Sequence, residues 1–159
     1  MRAAFCFLNE WLLRLGLGGL FIYAGVMKVL DTQQFALDVQ HFEITTLLDA
    51  WWPGWSWTAS VLLATYLPWL EILAGLALLA RWLYAGALLV IGALSVVFLA
   101  AIGSAWWRGL DITCGCFGKE TNATNFAAHI LFNVLVLATT ASLAAMESRN
   151  ARRRAASVT

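Results

Sequence analysis

The chain has 159 residues, 62% of them hydrophobic and 12% charged, with a formal net charge of +1. That balance lies far outside the composition of an average water-soluble domain and identifies an all-α membrane protein. No basic stripe interleaved with aromatics is present, so nucleic acid is not among the partners.

Near the amino terminus, Glu10 and Arg14 interrupt the apolar run and no small-residue cleavage site follows, so this segment reads as a retained first span and not as a secretory signal. A bilayer core takes about 20 apolar residues per helix. Four such runs occur, at about 11–30, 58–80, 82–103 and 126–146, which predicts a four-transmembrane-helix bundle with both termini on one side. Cys6, before the first span, reads as a small apolar residue.

Lys28 and Asp31 close the first span. In the loop that follows, Phe35, Val39 and Phe42 recur at helical spacing beside Gln34, Asp38 and Gln40, which predicts a short interfacial helix. Trp51, Trp52, Trp55 and Trp57 come next, and Trp106 and Trp107 stand at the mouth of the second long loop. Anchoring at the membrane interface explains such a belt ahead of a ring-stacking ligand site. Trp51, Trp52, Trp106 and Trp107 are nevertheless the candidate walls of an apolar, cofactor-binding mouth.

The second span carries Glu71 three residues after Pro68, and an intramembrane carboxylate is costly enough to be a functional candidate. Its rival role is that of a hydrogen-bonded acid packing helices. The second and third spans are separated only by the turn around Arg81 and form an antiparallel hairpin. His129 and Asn133, four residues apart, share a face of the fourth span, where interhelical hydrogen bonding ranks ahead of catalysis. Gly16, Gly19, Gly25, Gly75, Gly86 and Gly92 mark close helix approaches. Residues 1–147 form one membrane domain, and 148–159 a basic tail expected to be disordered.

Arg2, Arg14, Arg81 and the four tail arginines fall on one side of the spans, against Lys28, Arg108 and Lys119 on the other. By the positive-inside rule both termini are cytoplasmic. The loops at about 31–57 and 104–125 then face outward, to the periplasm if the membrane is a bacterial inner membrane. That compartment is oxidising, and disulfides persist there.

The outward loop 104–125 contains Cys114-Gly115-Cys116-Phe117-Gly118. A disulfide needs its Cα atoms about 4.4–6.8 Å apart, which across one intervening residue demands a tightly folded backbone. Gly115, lacking a Cβ, tolerates this. A strained bond of this kind is readily reduced, and closing so small a loop stabilises little, so it suits exchange over structural stapling. Metal capture is the rival chemistry. Zinc normally takes four protein ligands, whereas the loop offers two thiols with Asp111 and Glu120 nearby, so no metal site is assigned. A soft ion such as Cu(I) or Hg(II) needs fewer ligands. Redox exchange ranks first, and both readings stand ahead of inert thiols. Topology also places Lys28 on the loop's side, where a cation beside a thiol would raise its thiolate fraction.

These residues carry a family resemblance. Arg14-Leu15-Gly16, the run Phe21 to Lys28, Asp31 and Phe35 resemble the opening of DoxX-like membrane proteins. Together with Pro68, Glu71, Gly75 and the CGCFG segment they are similar to the methylamine-utilisation MauE branch, over Arg14 to about Leu137. The resemblance implies a four-helix inner-membrane protein associated with thiol redox work, maturing a disulfide-rich periplasmic enzyme subunit beside a thioredoxin-like partner. It assigns Cys114 and Cys116 to the redox motif, Gly115, Phe117 and Gly118 to its frame, and Lys28 and Glu71 to recurrent polar positions. Related chains often have Arg-Asn in the last span, whereas here Phe132 precedes Asn133, so this chain either lacks a cation that would steady a thiolate or uses His129 instead.

The expected function is thus an enzyme, a membrane thiol/disulfide oxidoreductase acting on a thioredoxin-like or disulfide-containing periplasmic protein. A quinone is the candidate electron acceptor by analogy with other four-helix thiol oxidases. The alternatives are a soft-metal carrier and a non-catalytic membrane assembly factor.

Overall fold

The computed structural model describes residues 2–41, 52–108 and 126–156. They form five helices: α1 (Arg2–Leu30), α2 (Thr32–His41), α3 (Trp55–Ala80), α4 (Tyr84–Trp107) and α5 (Phe126–Ala156). Four stretches, Asn9–Leu30, Trp55–Ala80, Tyr84–Trp107 and Ala127–Arg152, are long and apolar enough to cross a bilayer. The expected all-α membrane bundle is therefore the architecture. Helices suit hydrocarbon because each satisfies its own backbone. Its buried hydroxyls behave likewise: Ser60, Ser95 and Thr140 each donate to the carbonyl one turn earlier, at Ser56, Ile91 and Val136.

Several boundaries differ from those read off hydropathy. α3 starts at Trp55, directly after Gly54 at φ 86°, and α4 starts at Tyr84 after a three-residue turn that holds Trp82. Arg81 and Leu83 take left-handed backbone, and the Arg81 N–H donates to Leu78 O, ending α3 sharply. Apolar content cannot reveal such a turn, because Trp82 and Leu83 are themselves apolar. α5 runs on through Ala156, so most of the basic segment expected to be disordered is helical. Alanine and arginine are both good helix formers, and that propensity wins over the charge density.

α1 and α3 run antiparallel in the closest packing of the bundle. The register descends from Arg14 beside Leu79, through Gly18 against Gly75, to Lys28 beside Glu71. A methyl group placed on Gly25 would lie 2.7 Å from Pro68 O, and one on Gly75 would lie 2.7 Å from Gly18 O. Only glycine allows the two backbones this near each other. Gly18, not singled out from the sequence, shares the seam; Gly16, Gly19 and Gly86 have nothing within 4 Å of such a methyl. α4 and α5 pack together, and the central core joins Leu17, Phe21, Leu78, Leu88, Ile91, Val136 and Leu143 from all four long helices.

α2 folds back along α3. Thr32 Oγ1 donates to Val29 O at the end of α1, and Asp31 Oδ1 accepts from the Gln34 N–H as the cap of α2. Phe35 and Ala36 then bury against Ala64, with Val39 and Leu67 alongside. The face predicted at 35 and 39 is thus packed on protein, while Phe42 lies outside the described residues.

The glycine seam makes a directional prediction. Gly25→Ala should destabilise the bundle by about 1–3 kcal/mol through overpacking, whereas Gly19→Ala should be neutral or stabilising by up to about 1 kcal/mol. Denaturant titration of helicity in detergent micelles separates the two outcomes.

Candidate functional site

Lys28 is the last cation of α1, and Glu71 sits near the middle of α3. The antiparallel register brings them together: Nζ donates to Glu71 Oε1 at 2.6 Å, and the two side chains are 2% and 1% exposed. The ammonium is covered by aromatic faces, 4.5 Å from the Phe98 ring centre and 5.2 Å from that of Phe35. α2 therefore contributes a wall to the site as well as packing on α3.

Beside the pair lies a cavity of about 50 Å³, whose polar lining is Lys28, Glu71, Ser95, His129 and Asn133. Leu20, Phe21, Ala24, Phe98, Phe132 and Val136 complete it. The polar candidates read from three separate spans thus converge on one space, joined by Ser95, which no sequence signal had marked. A serine in an apolar run has the same appearance whether it faces lipid or a cavity. Asn133 Nδ2 donates to His129 O within α5, so this bond is intrahelical and not the interhelical one expected. Among the described residues Glu71 Oε2 has no hydrogen-bond partner although it is fully buried.

The thiol segment Cys114, Gly115, Cys116, Phe117 and Gly118 lies outside the described residues, as does Trp51. The expected help from Lys28 to a thiolate meets a competitor, because its ammonium is already engaged by Glu71. Trp52, Trp106 and Trp107 are 65%, 64% and 92% exposed and none lines the cavity. They face outward at the α3 start and the α4 end, where lipid headgroups would meet them.

A second polar cluster went unnoticed in the sequence. Arg14 is buried, donates through Nη2 to Leu79 O at 2.7 Å, and lies over the rings of Trp11 and Tyr84. Arg81 bridges Glu10 and Glu147, both at 3.3 Å, tying α1 and α5 to the α3–α4 turn. This places the start of α1, the turn and the far part of α5 at one end of the bundle, as an even number of crossings requires. The partly exposed Arg81–Glu147 pair stabilises little, so its main effect is positional.

The family model for methylamine utilisation protein MauE matches residues 7–146, which is most of the chain. The chain belongs to the MauE family. Among curated proteins and among solved structures, nothing matches it. Family membership and the four apolar helices together make it a multi-pass membrane protein. The matched region includes both the cavity residues and the CGCFG segment.

Two predictions follow from the charges. Removing one member of the pair, as in Glu71→Leu or Lys28→Met, strands a buried ion and should cost about 3–5 kcal/mol, while the double variant should recover most of that loss; a double-mutant cycle in denaturant measures it. In α2, burial pushes the Asp38 carboxyl above its ordinary value of 3.8, with the Gln34 hydrogen bond and His41 opposing and Asp31 adding to the rise. The folded state then holds this proton more tightly than the unfolded state, so α2 docking weakens as pH climbs from 3.8 through the raised value. Asp38→Asn should flatten that slope, read as the pH dependence of amide exchange in α2.

Proposed function

We propose that this protein is an integral-membrane thiol/disulfide oxidoreductase whose Cys114/Cys116 pair exchanges disulfides with a thioredoxin-like or disulfide-containing protein. The reading is carried by one observation: a pair of cysteines separated by a single glycine, inside a chain of the MauE family. The family's name ties it to methylamine utilisation, so the client is a protein of that system. The positive-inside count favours cytoplasmic termini and a periplasmic CGCFG loop in a bacterial inner membrane. The broader DoxX-like likeness rests on the first-span residues and belongs to the same proposal.

Chemically, a thiolate of one partner attacks a sulfur of the other's disulfide, forming a mixed disulfide and releasing a thiolate. A second thiolate then resolves it, so two electrons pass between the pairs. When the membrane pair is left as a dithiol, its return to the disulfide releases two electrons and two protons, and a quinone of the bilayer is the acceptor class that takes up both. The cavity is too small for a ring, being well under the ~150 Å³ that admits benzene. A quinone would therefore be received at the outward tryptophans or the lipid-facing surface.

The loop 109–125 joins Arg108 to Phe126, so its ends are anchored on the helices that supply Ser95, Phe98, His129 and Asn133 to the cavity. Gly115, Phe117 and Gly118 frame the pair, and Lys28, Glu71, His129 and Asn133 support it from within the bundle.

Cells expressing Cys114→Ser or Cys116→Ser should accumulate a mixed disulfide between the remaining cysteine and the partner, visible on non-reducing gels and absent in the double variant. Undiminished client maturation by the double variant would overturn the proposal and favour a non-catalytic assembly role.

A further inference from the structure

The orphan oxygen of Glu71 calls for an occupant. A buried carboxylate oxygen that has no donor among the described residues is strongly unfavourable, and Glu71 lines a space that already has a polar rim. The rim is rich in acceptors. Ser95 spends its hydroxyl proton on Ile91 O, and Asn133 spends an amide N–H on His129 O, leaving lone pairs on Ser95 Oγ and Asn133 Oδ1. The occupant must therefore be small and able to donate. About 50 Å³ is several times the ~10–15 Å³ that one water needs on this measure.

We infer that the cavity is a hydrated proton-exchange site, in which Glu71 Oε2 and the His129 imidazole pass a proton through bound water while Lys28 holds the other carboxylate oxygen. As the imidazolium releases its proton to a water, that water passes one of its own to Oε2, so charge and atoms are conserved. The charged and titratable groups of the lining are Lys28 from α1, Glu71 from α3 and His129 from α5; α4 presents only Ser95 and Phe98, and α2 sets the Phe35 ring on the ammonium. Lys28 neutralises Glu71, so the site carries at most one excess proton in a low-dielectric surround. Its use in handling the protons of dithiol oxidation rests on the exchange function proposed above; the site itself does not.

The test uses the full chain carrying Cys114→Ser and Cys116→Ser in nanodiscs, so that its readout is independent of the thiols. Infrared difference spectra between pH values should show a carboxyl signal lost in Glu71→Gln and an imidazole signal lost in His129→Gln. Each substitution should move the titration midpoint of the other group, by matching amounts, because coupling between two sites is reciprocal. In D2O the carboxyl signal should shift through exchange, and Ala24→Ile, which fills the cavity from its apolar side, should abolish that shift with helicity intact. A carboxyl that neither titrates nor exchanges, midpoints that move independently, or exchange persisting in Ala24→Ile would each overturn the inference. Should Glu71→Gln fail to fold, His129→Gln and Ala24→Ile still decide it.

Discussion

The Lys28–Glu71 ion pair is the constraint around which the bundle is arranged. Two opposite charges 2.6 Å apart, both almost completely shielded from solvent, attract strongly, but each has lost its hydration. The pair persists only if the helices bearing it are held close and its remaining faces are covered. The glycine seam meets the first condition by letting the backbones of α1 and α3 touch at Gly18, Gly25 and Gly75. Phe98 and Phe35 meet the second, which is why α2 must turn back at Asp31 and lie along α3.

Polarity is divided between two places with different physics. At the Arg81 end, a partly exposed arginine bridges the buried Glu10 and the partly exposed Glu147, linking three elements where solvent reaches part of the cluster. Arg14 marks the transition from that end into the core, stacked on Trp11 and Tyr84 and held by a backbone carbonyl. At the cavity, by contrast, Lys28, Glu71 and Ser95 are confined among apolar side chains, and a single oxygen unmatched among the described residues carries consequences. A protein that exchanges disulfides must release and take up protons as well as electrons. Under the proposed exchange function, a small polar-rimmed space within the membrane domain suits the proton part of that work.

Much of this was legible in the residues. Spans of about twenty apolar residues, a lone carboxylate at Glu71, the Lys28 and Asp31 end of the first span, and the Phe35 and Val39 face all stood out because hydrocarbon tolerates few exceptions. Gly25 and Gly75 were correctly marked as close approaches, while Gly16 and Gly19 were not, since spacing alone does not say which glycine of a cluster meets the neighbouring helix. Arg14 was read as a charge for counting sides, yet it is buried. Its partners are a carbonyl and two aromatic faces, which leave no charge pattern to detect.

By itself the sequence determined that the protein is a helical membrane bundle of four crossings, that Cys114 and Cys116 are separated by one glycine, and which rare polar residues lie within the spans. These are consequences of solvent transfer and local spacing, which act on each residue where it stands. Only the tertiary structure decided that Lys28 answers Glu71, that His129, Asn133 and the unremarked Ser95 share their cavity, and that α2 closes over the ammonium. Those relations depend on the rotation and register of helices about their axes, and a shift of one residue turns a side chain by about 100°. Register is set by the packing of α1 on α3, and no single stretch of chain contains it.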